Sequence, residues 1–321
     1  MRGGAAALCC AALLDSCATV SVAGETARAK DRVVAKVNGE AVLADEVERE
    51  LKAAYGADLK LEQVAAEKWQ QAAEQVVCRR LVLEYLNESK QGASEQDVAF
   101  ALEQLRNELK AQGMTLTEYF RRGGWQEDSF RRHLAWTLGW QRFLERTLTE
   151  ANLQKYFQSH LPDFDGREVR VAHLLLKAKG DDADEQSRLT TEARRIRTEM
   201  EGGRLTFAEA VKRYSQAPTA DHSAGDLGFI RRHEPMPEAF AKAALWLDEG
   251  EVSQPVATPL GVHLIQCLEI RPGKLTWRDV EGDLRKAVAL YLFNWAAEKQ
   301  KAKATIEWVP LAKSGEAGGQ Q

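Results

Sequence analysis

The chain has no basic excess. Its 321 residues carry 44 Lys and Arg against 48 Asp and Glu, a formal net charge of −4. No positive surplus is present to neutralise the phosphates of a duplex, so nucleic acid is not an expected partner. No run of about eighteen apolar residues occurs, which excludes a spanning helix of the usual length. Cysteine is scarce: of five, Cys9, Cys10 and Cys17 stand close to the N-terminus, leaving Cys78 and Cys267 far apart. That is neither a disulfide framework nor a metal knuckle, and the two read as buried thiols, with a single bridge left open. Proline is absent before Pro162, although eight follow from there on. What is abundant, 44% hydrophobic and 29% charged residues, excludes disorder throughout.

The N-terminus reads as a leader. Arg2 supplies a positive start, Ala5 to Leu14 is apolar, and Ser21-Val22-Ala23 offers small residues before a cut at Gly24. Residues 1–23 are therefore expected to be a signal peptide. A second reading uses Leu14-Asp15-Ser16-Cys17 as a lipobox, with Cys17 as a lipid anchor; Asp15 fits that pattern poorly.

Without proline, the first half is free to be helical. Trp69, Ala72, Ala73, Val76, Val77, Arg80, Leu81 and Leu83 recur at helical spacing, and breaks at Gly56, Gln91 to Ser94, Gly113 and Gly123-Gly124 divide four or five helices. Ser94 and Thr115 are placed to cap. Before them, Val33 to Val42 sets β-branched residues on both sides of Asn38-Gly39, a hairpin signal, because the tight turn needs positive φ at both centre residues. Linker composition at 161–166 and at 271–273 brackets a middle module. Residues 276–303 return to the helical period, and 304–309 read as a strand; this pair, within 272–310, is expected to pack on the helical domain of 31–165. Residues 311–321 read as a disordered tail.

The middle module, 168–271, orders β, α, α, β, α, β and predicts an α+β fold with a short antiparallel sheet and surrounding helices. In it stand Ala172-His173-Leu174, Gly225-Asp226-Leu227-Gly228, Met236 with Phe240, and Thr258-Pro259-Leu260-Gly261-Val262-His263. In that order these four motifs resemble a parvulin-type peptidyl-prolyl isomerase domain. The flanks are similar to the SurA and PrsA class of secreted chaperone-isomerases, in which such a domain is inserted into a mainly helical body.

The resemblance implies an isomerase that turns X-Pro bonds without covalent chemistry. An apolar pocket would bind the twisted amide better than either planar form. Leu227, Met236 and Phe240 would line it, His173 and His263 would sit together beneath it, and Thr258 would hydrogen-bond within the same cluster. No cofactor is implied. The four His of the module, 173, 222, 233 and 263, have no metal-ligand spacing, so no metal is expected. One departure stands out: the second residue after Ser215, usually Asp or Cys in the family, is Ala217. Asp221 or His222 on the same loop is a candidate substitute.

Seven of eight Trp, at 69, 125, 136, 140, 277, 295 and 308, lie outside the module. Trp136, Trp140 and Phe143 form a second apolar stripe on their helix, which is either core or a surface for a partner. By the resemblance the partners would be unfolded, proline-containing exported polypeptides in the periplasm or cell envelope. The alternative is a weak or inactive parvulin-fold holdase that only binds client segments. No Gly-x-Ser-x-Gly or His-Glu-x-x-His motif supports a hydrolase.

Overall fold

The computed structural model describes residues 32–180, 183–232 and 236–309. The expected leader, the Cys17 alternative and the tail lie outside the described residues, as do His233 and the side chains of Asp221 and His222. The chain divides into two compact units. One joins the N-terminal part through Thr149 to the C-terminal part from Ala289, and the other is the intervening Glu150–Val288.

In the first unit β1 (Val33–Val37) and β2 (Glu40–Leu43) form the expected hairpin, with Val37 opposite Glu40. Asn38 and Gly39 take φ of 52° and 85°, the paired positive values that a primed two-residue turn demands. Asn38 also ties the hairpin to the stretch around Thr305: its N–H donates to Thr305 O and its Oδ1 accepts from Thr305 N, both at 2.9 Å. Helices α1 (Ala44–Tyr55), α2 (Ala66–Glu88), α3 (Glu95–Ala111), α4 (Leu116–Gly123) and α5 (Glu127–Thr147) follow. Ser94 and Thr115 cap α3 and α4, each reciprocated by the carboxylate three residues on, Asp97 and Glu118. The apolar face of α2, through Ala72, Ala73, Val76, Val77 and Leu81, packs with Val34, Val42, Val47 and Leu51 of the hairpin and α1. A second core joins α3, α4 and α5 through Leu102, Leu105, Leu109, Phe120 and Phe130.

The second unit opens with α6 (Glu150–Ser159) and the short α7 (Leu161–Phe164). It continues through β3 (Glu168–Lys177), α8 (Ala183–Glu201), α9 (Phe207–Tyr214), α10 (Ala220–Ser223), β4 (Asp226–Ile230), α11 (Glu238–Leu245), β5 (Val256–Thr258) and β6 (Gly261–Arg271). The sheet runs β4-β3-β6-β5, and every pairing is antiparallel. Both faces of its centre are buried, so β3 and β6 read as near-continuous apolar runs. Ala172, Leu174, Leu176, Val262 and Leu264 meet Ile196 of α8 with Phe207 and Val211 of α9. Val169, Val171, Ile265 and Cys267 meet Phe240, Ala244 and Leu245 of α11. The α+β architecture, a small antiparallel sheet with helices in a module carried between two parts of a mainly helical unit, is the one the sequence implies.

Two boundaries differ from the sequence reading. The division falls at Thr149, ahead of the stretch whose composition suggests a linker at 161–166. That stretch is anchored: Asp165 is buried, its carboxylate holds Arg167, and its carbonyl accepts the Leu275 N–H at 3.0 Å. The indole of Trp246, after α11, donates to Asp163 at 3.0 Å. Entry and exit of the module are thus fastened to it and to each other. The C-terminal helix, α12, spans Glu281–Lys301 rather than starting at 276, because the Asp279 carboxylate takes the N–H and hydroxyl of Thr276 and holds a turn there. Only its part from Ala289 belongs to the first unit, where β7 (Ile306–Trp308) also pairs antiparallel with β1.

Cys78 and Cys267 are both free thiols, the latter fully buried. No helix among the described residues is long and apolar enough to cross a membrane.

Candidate active site

On β3 the residues either side of His173 point into the α8/α9 core, so alternation turns His173 toward α11. Residue 263 on β6 lies on the same side. In the register His173 is opposite Ile265 and His263 opposite Leu175, which makes the two His diagonal neighbours, the spacing at which ring side chains touch. Their Nδ1 atoms are 3.2 Å apart and the rings stack at 5.4 Å, tilted by 21°. Thr258, at the end of β5, sets its Oγ1 2.8 Å from His263 Nε2 and accepts the Leu260 N–H. The two-residue turn after it needs Gly261: a Cβ there would lie 2.1 Å from Leu176 O.

Phe240, on α11, closes the cluster. Its ring meets His173 at 5.8 Å and His263 at 5.2 Å, near-perpendicular to both. Phe240 is 0% exposed, and its ring meets the imidazoles from within the core. Leu227 and Met236 pack on the same apolar cluster and are half-buried, so they keep surface that a ligand can reach.

Burial holds His263 down to about 4, with the neighbouring His173 adding to the effect, and burial lowers His173 as well. Both rings are uncharged at neutral pH. A neutral imidazole carries one N–H, so a single proton lies between the two Nδ1 atoms, and the rings are held in opposite tautomers. An uncharged, hydrogen-bonded pair walled by an aromatic ring presents no ionised acid or base. No group of three or more His, Cys, Asp or Glu that could hold a metal occurs among the described residues.

His173, His263, Thr258 and Phe240 are thus brought into one contact cluster, with Leu227 and Met236 on the adjoining apolar surface. Ala217 is buried near the start of its loop, where its N–H donates to Ser215 Oγ at 3.2 Å. One residue the sequence reading did not single out also reaches the cluster. Thr219 places its Oγ1 3.5 Å from His173 Nε2. Nothing in the linear pattern marks it, because the contact is made by a loop that folds back on β3. An open cleft of about 510 Å³ lies elsewhere, lined by Arg197, Met200, Phe207, Val252 and Gln266; none of the residues of the His cluster borders it.

The Rotamase family, the PPIC-type PPIASE domain, matches residues 173–269. Chaperone SurA of Shigella dysenteriae serotype 1 is 38% identical over 104 residues, which is 32% of this chain and 24% of that protein. Chaperone SurA of Salmonella typhimurium matches to the same extent. The chain spans about a quarter of the length of these curated relatives (24%). Among solved structures, the peptidylprolyl isomerase PrsA from Bacillus anthracis is 19% identical, covering 71% of this chain and 95% of its own, with a TM-score of 0.33. The cluster of His173, His263 and Thr258 therefore lies in the stretch, residues 173–269, that matches the PPIC-type PPIASE domain model.

Proposed function

We propose that this chain is a peptidyl-prolyl cis-trans isomerase joined to a chaperone body, acting on unfolded, proline-containing polypeptides exported across a cytoplasmic membrane. The observation that carries the reading is the uncharged His173–His263 pair, buried against Phe240 and bonded to Thr258, beside the half-buried Leu227 and Met236.

The chemistry follows from the amide. Rotation about X-Pro faces a barrier of about 18–20 kcal/mol because planarity lets the nitrogen lone pair conjugate with the carbonyl. The planar form is the more charge-separated one, so moving it from water to an apolar, uncharged pocket costs it more than the twisted form. Leu227 and Met236 grip the pyrrolidine ring, and the neutral His pair fixes the strands beneath without adding charge that would favour the planar state. A differential of about 4 kcal/mol is a factor of about a thousand in rate. No bond is broken, so Ala217 in place of a polar residue removes no step of the mechanism.

The helical unit supplies a surface for client chains. Trp136 and Trp140 stack at 5.3 Å, Phe293 meets both, and the rings of Trp140, Phe143, Tyr85 and Trp295 continue the contact. Trp295 and Tyr291 are exposed. Client held there is presented to the isomerase at a raised local concentration. The sequence of residues 1–23 supports export, to the periplasm or cell envelope.

Cis-to-trans relaxation of short X-Pro peptides tests the reading. The chain is expected to accelerate relaxation, Leu227→Ala and Met236→Ala to lose most of the acceleration, and Ala217→Asp to change it without being required for it. A parent that matches buffer for every peptide while still suppressing aggregation of an unfolded client would make the protein a holdase on an isomerase fold.

A further inference from the structure

Met236 stands between β4 and α11, and the charged residues on either side of it are tied to one point outside residues 173–269. Arg232, just after β4, directs its two terminal nitrogens at the two carboxylate oxygens of Glu238, the first residue of α11. The same guanidinium turns its Nε to Asp163 Oδ1 at 3.2 Å. Asp163 belongs to α7, in the stretch whose composition reads as a linker. Its other oxygen, Oδ2, accepts the Trp246 indole N–H at 3.0 Å. Trp246 follows α11 directly, so Asp163 reaches that helix near both ends: at its start through Arg232 and Glu238, and at its finish through Trp246.

The two carboxylates that face Arg232 differ in strength. The Glu238 side chain is 68% exposed, so water and salt screen its pair and it holds little. The Asp163 side chain is 11% exposed, and its Oδ1 is buried and makes no hydrogen bond. Arg232 is its ion partner among the described residues, the charge that offsets it. A buried carboxylate left without a cation is costly, and that cost holds Arg232 over α7. In turn α7 is itself pinned. The Asp163 N–H donates to His160 O at 3.0 Å, and the Asp165 carbonyl takes the Leu275 N–H.

We propose that Asp163 is a positioning residue for the substrate pocket: acting through Arg232, it sets where Met236 stands against the apolar cluster, so that a residue of the entry stretch fixes one wall of the pocket. The kinetic consequence rests on the isomerase reading; the placement of Met236 does not. Met236 grips the pyrrolidine ring in the planar and the twisted amide alike, so displacing it weakens both complexes and raises KM more than it lowers kcat.

Methyl spectra of the full chain labelled at the methionine methyl carbons, with Asp163→Asn, Arg232→Gln, Arg232→Lys and Glu238→Gln, test this. Asparagine keeps an oxygen for the Trp246 indole and removes the charge. Lysine keeps a charge opposite Asp163 and gives up the fork on Glu238. The Met236 signal is expected to move in the same direction in Asp163→Asn and Arg232→Gln, while Met114 and Met200 stay in place as markers of an intact fold. Arg232→Lys and Glu238→Gln are expected to leave all three signals near the parent's. In cis-to-trans relaxation of a short X-Pro peptide, the first two variants are expected to raise KM about three- to tenfold with kcat within about twofold. Combining them should be no worse than either alone, because both break one link. A Met236 signal unmoved by Asp163→Asn, Met114 and Met200 moving with it, a Glu238→Gln effect as large as that of Asp163→Asn, or a fall in kcat at unchanged KM would overturn the inference. If the parent does not accelerate X-Pro rotation, the isomerase reading fails while the Met236 signal still decides the role of Asp163.

Discussion

His173 and His263 stand 90 positions apart in the chain, and their Nδ1 atoms come within 3.2 Å across adjacent strands. The contact depends on the diagonal offset of β3 against β6, on a shared side of the sheet, and on burial deep enough to keep both rings neutral. Each condition gives a measurable consequence.

Neutral buried His make the module acid-sensitive. The folded state takes its proton on His263 only near pH 4, whereas the unfolded chain takes it near 6.5. Between those values the unfolded chain binds more protons, so stability is complete above about pH 6.5, falls as pH drops toward 4, and is not lowered further by this group below that. The loss is at most about 3 kcal/mol. Hydrogen exchange at the Leu174 and Leu264 amides, followed from pH 7 to 4, should show protection falling across this window. His263→Gln should flatten the fall; an unchanged slope in that variant would place the acid sensitivity elsewhere. The helical unit has its own counterpart in His133, lowered to about 4 by burial and by Arg79 and Arg49.

Gly225, just before β4, and Gly228, within it, should respond differently to alanine. Gly225 and Gly228 have φ of 81° and 76°, so each substitution carries the left-handed penalty of about 1–2 kcal/mol. At Gly228 nothing lies within 4 Å of the new methyl, whereas at Gly225 it would sit 2.3 Å from the His173 carbonyl. Urea midpoints should fall modestly for Gly228→Ala, and much further for Gly225→Ala with loss of isomerase activity. Equal midpoints would show that Gly225 does not press on β3 as described.

Phe240 and Met236 should separate stability from activity. Phe240→Ala empties a fully buried site against both imidazoles and should cost about 3–5 kcal/mol. Met236→Ala removes a half-buried side chain, so its unfolding midpoint should stay close to the parent's while kcat/KM falls. A Phe240→Ala protein as stable as the parent would contradict the support role.

The exposed rings of α12 give a test of client binding. Tyr291→Ala combined with Trp295→Ala removes apolar surface that is about half in solvent, 54% and 39% exposed, and should leave folding intact. Suppression of aggregation of an unfolded client should weaken. Undiminished suppression would move the client surface away from this face.

Much of the fold is local and therefore readable. Asn38-Gly39 announces its turn because only such residues accept two positive φ values in succession. Ser94 and Thr115 announce the starts of α3 and α4 because their caps are made within three residues. His173, Thr258 and His263 are readable only as members of an ordered set of motifs; a single His in an apolar strand is as well explained by packing. Three features are not readable. Thr219 reaches His173 through a loop that β3 holds in place, and that path leaves no periodic trace. Phe240 follows the expected motif, yet its complete burial depends on α11 packing against the sheet. Residues 161–166 have linker composition, and composition reports local freedom; the bonds from Leu275 to Asp165 and from Trp246 to Asp163 that remove this freedom come from distant parts of the chain.

The central claim is that the module speeds rotation about X-Pro without favouring either isomer. Exchange spectroscopy of a short X-Pro peptide at equilibrium, with the full chain at a small fraction of the peptide concentration, measures this directly. The account predicts new cis–trans exchange cross-peaks with the isomer ratio unaltered, and their loss with Leu227→Ala and Met236→Ala together. Line broadening from binding with no exchange between the isomers would contradict it.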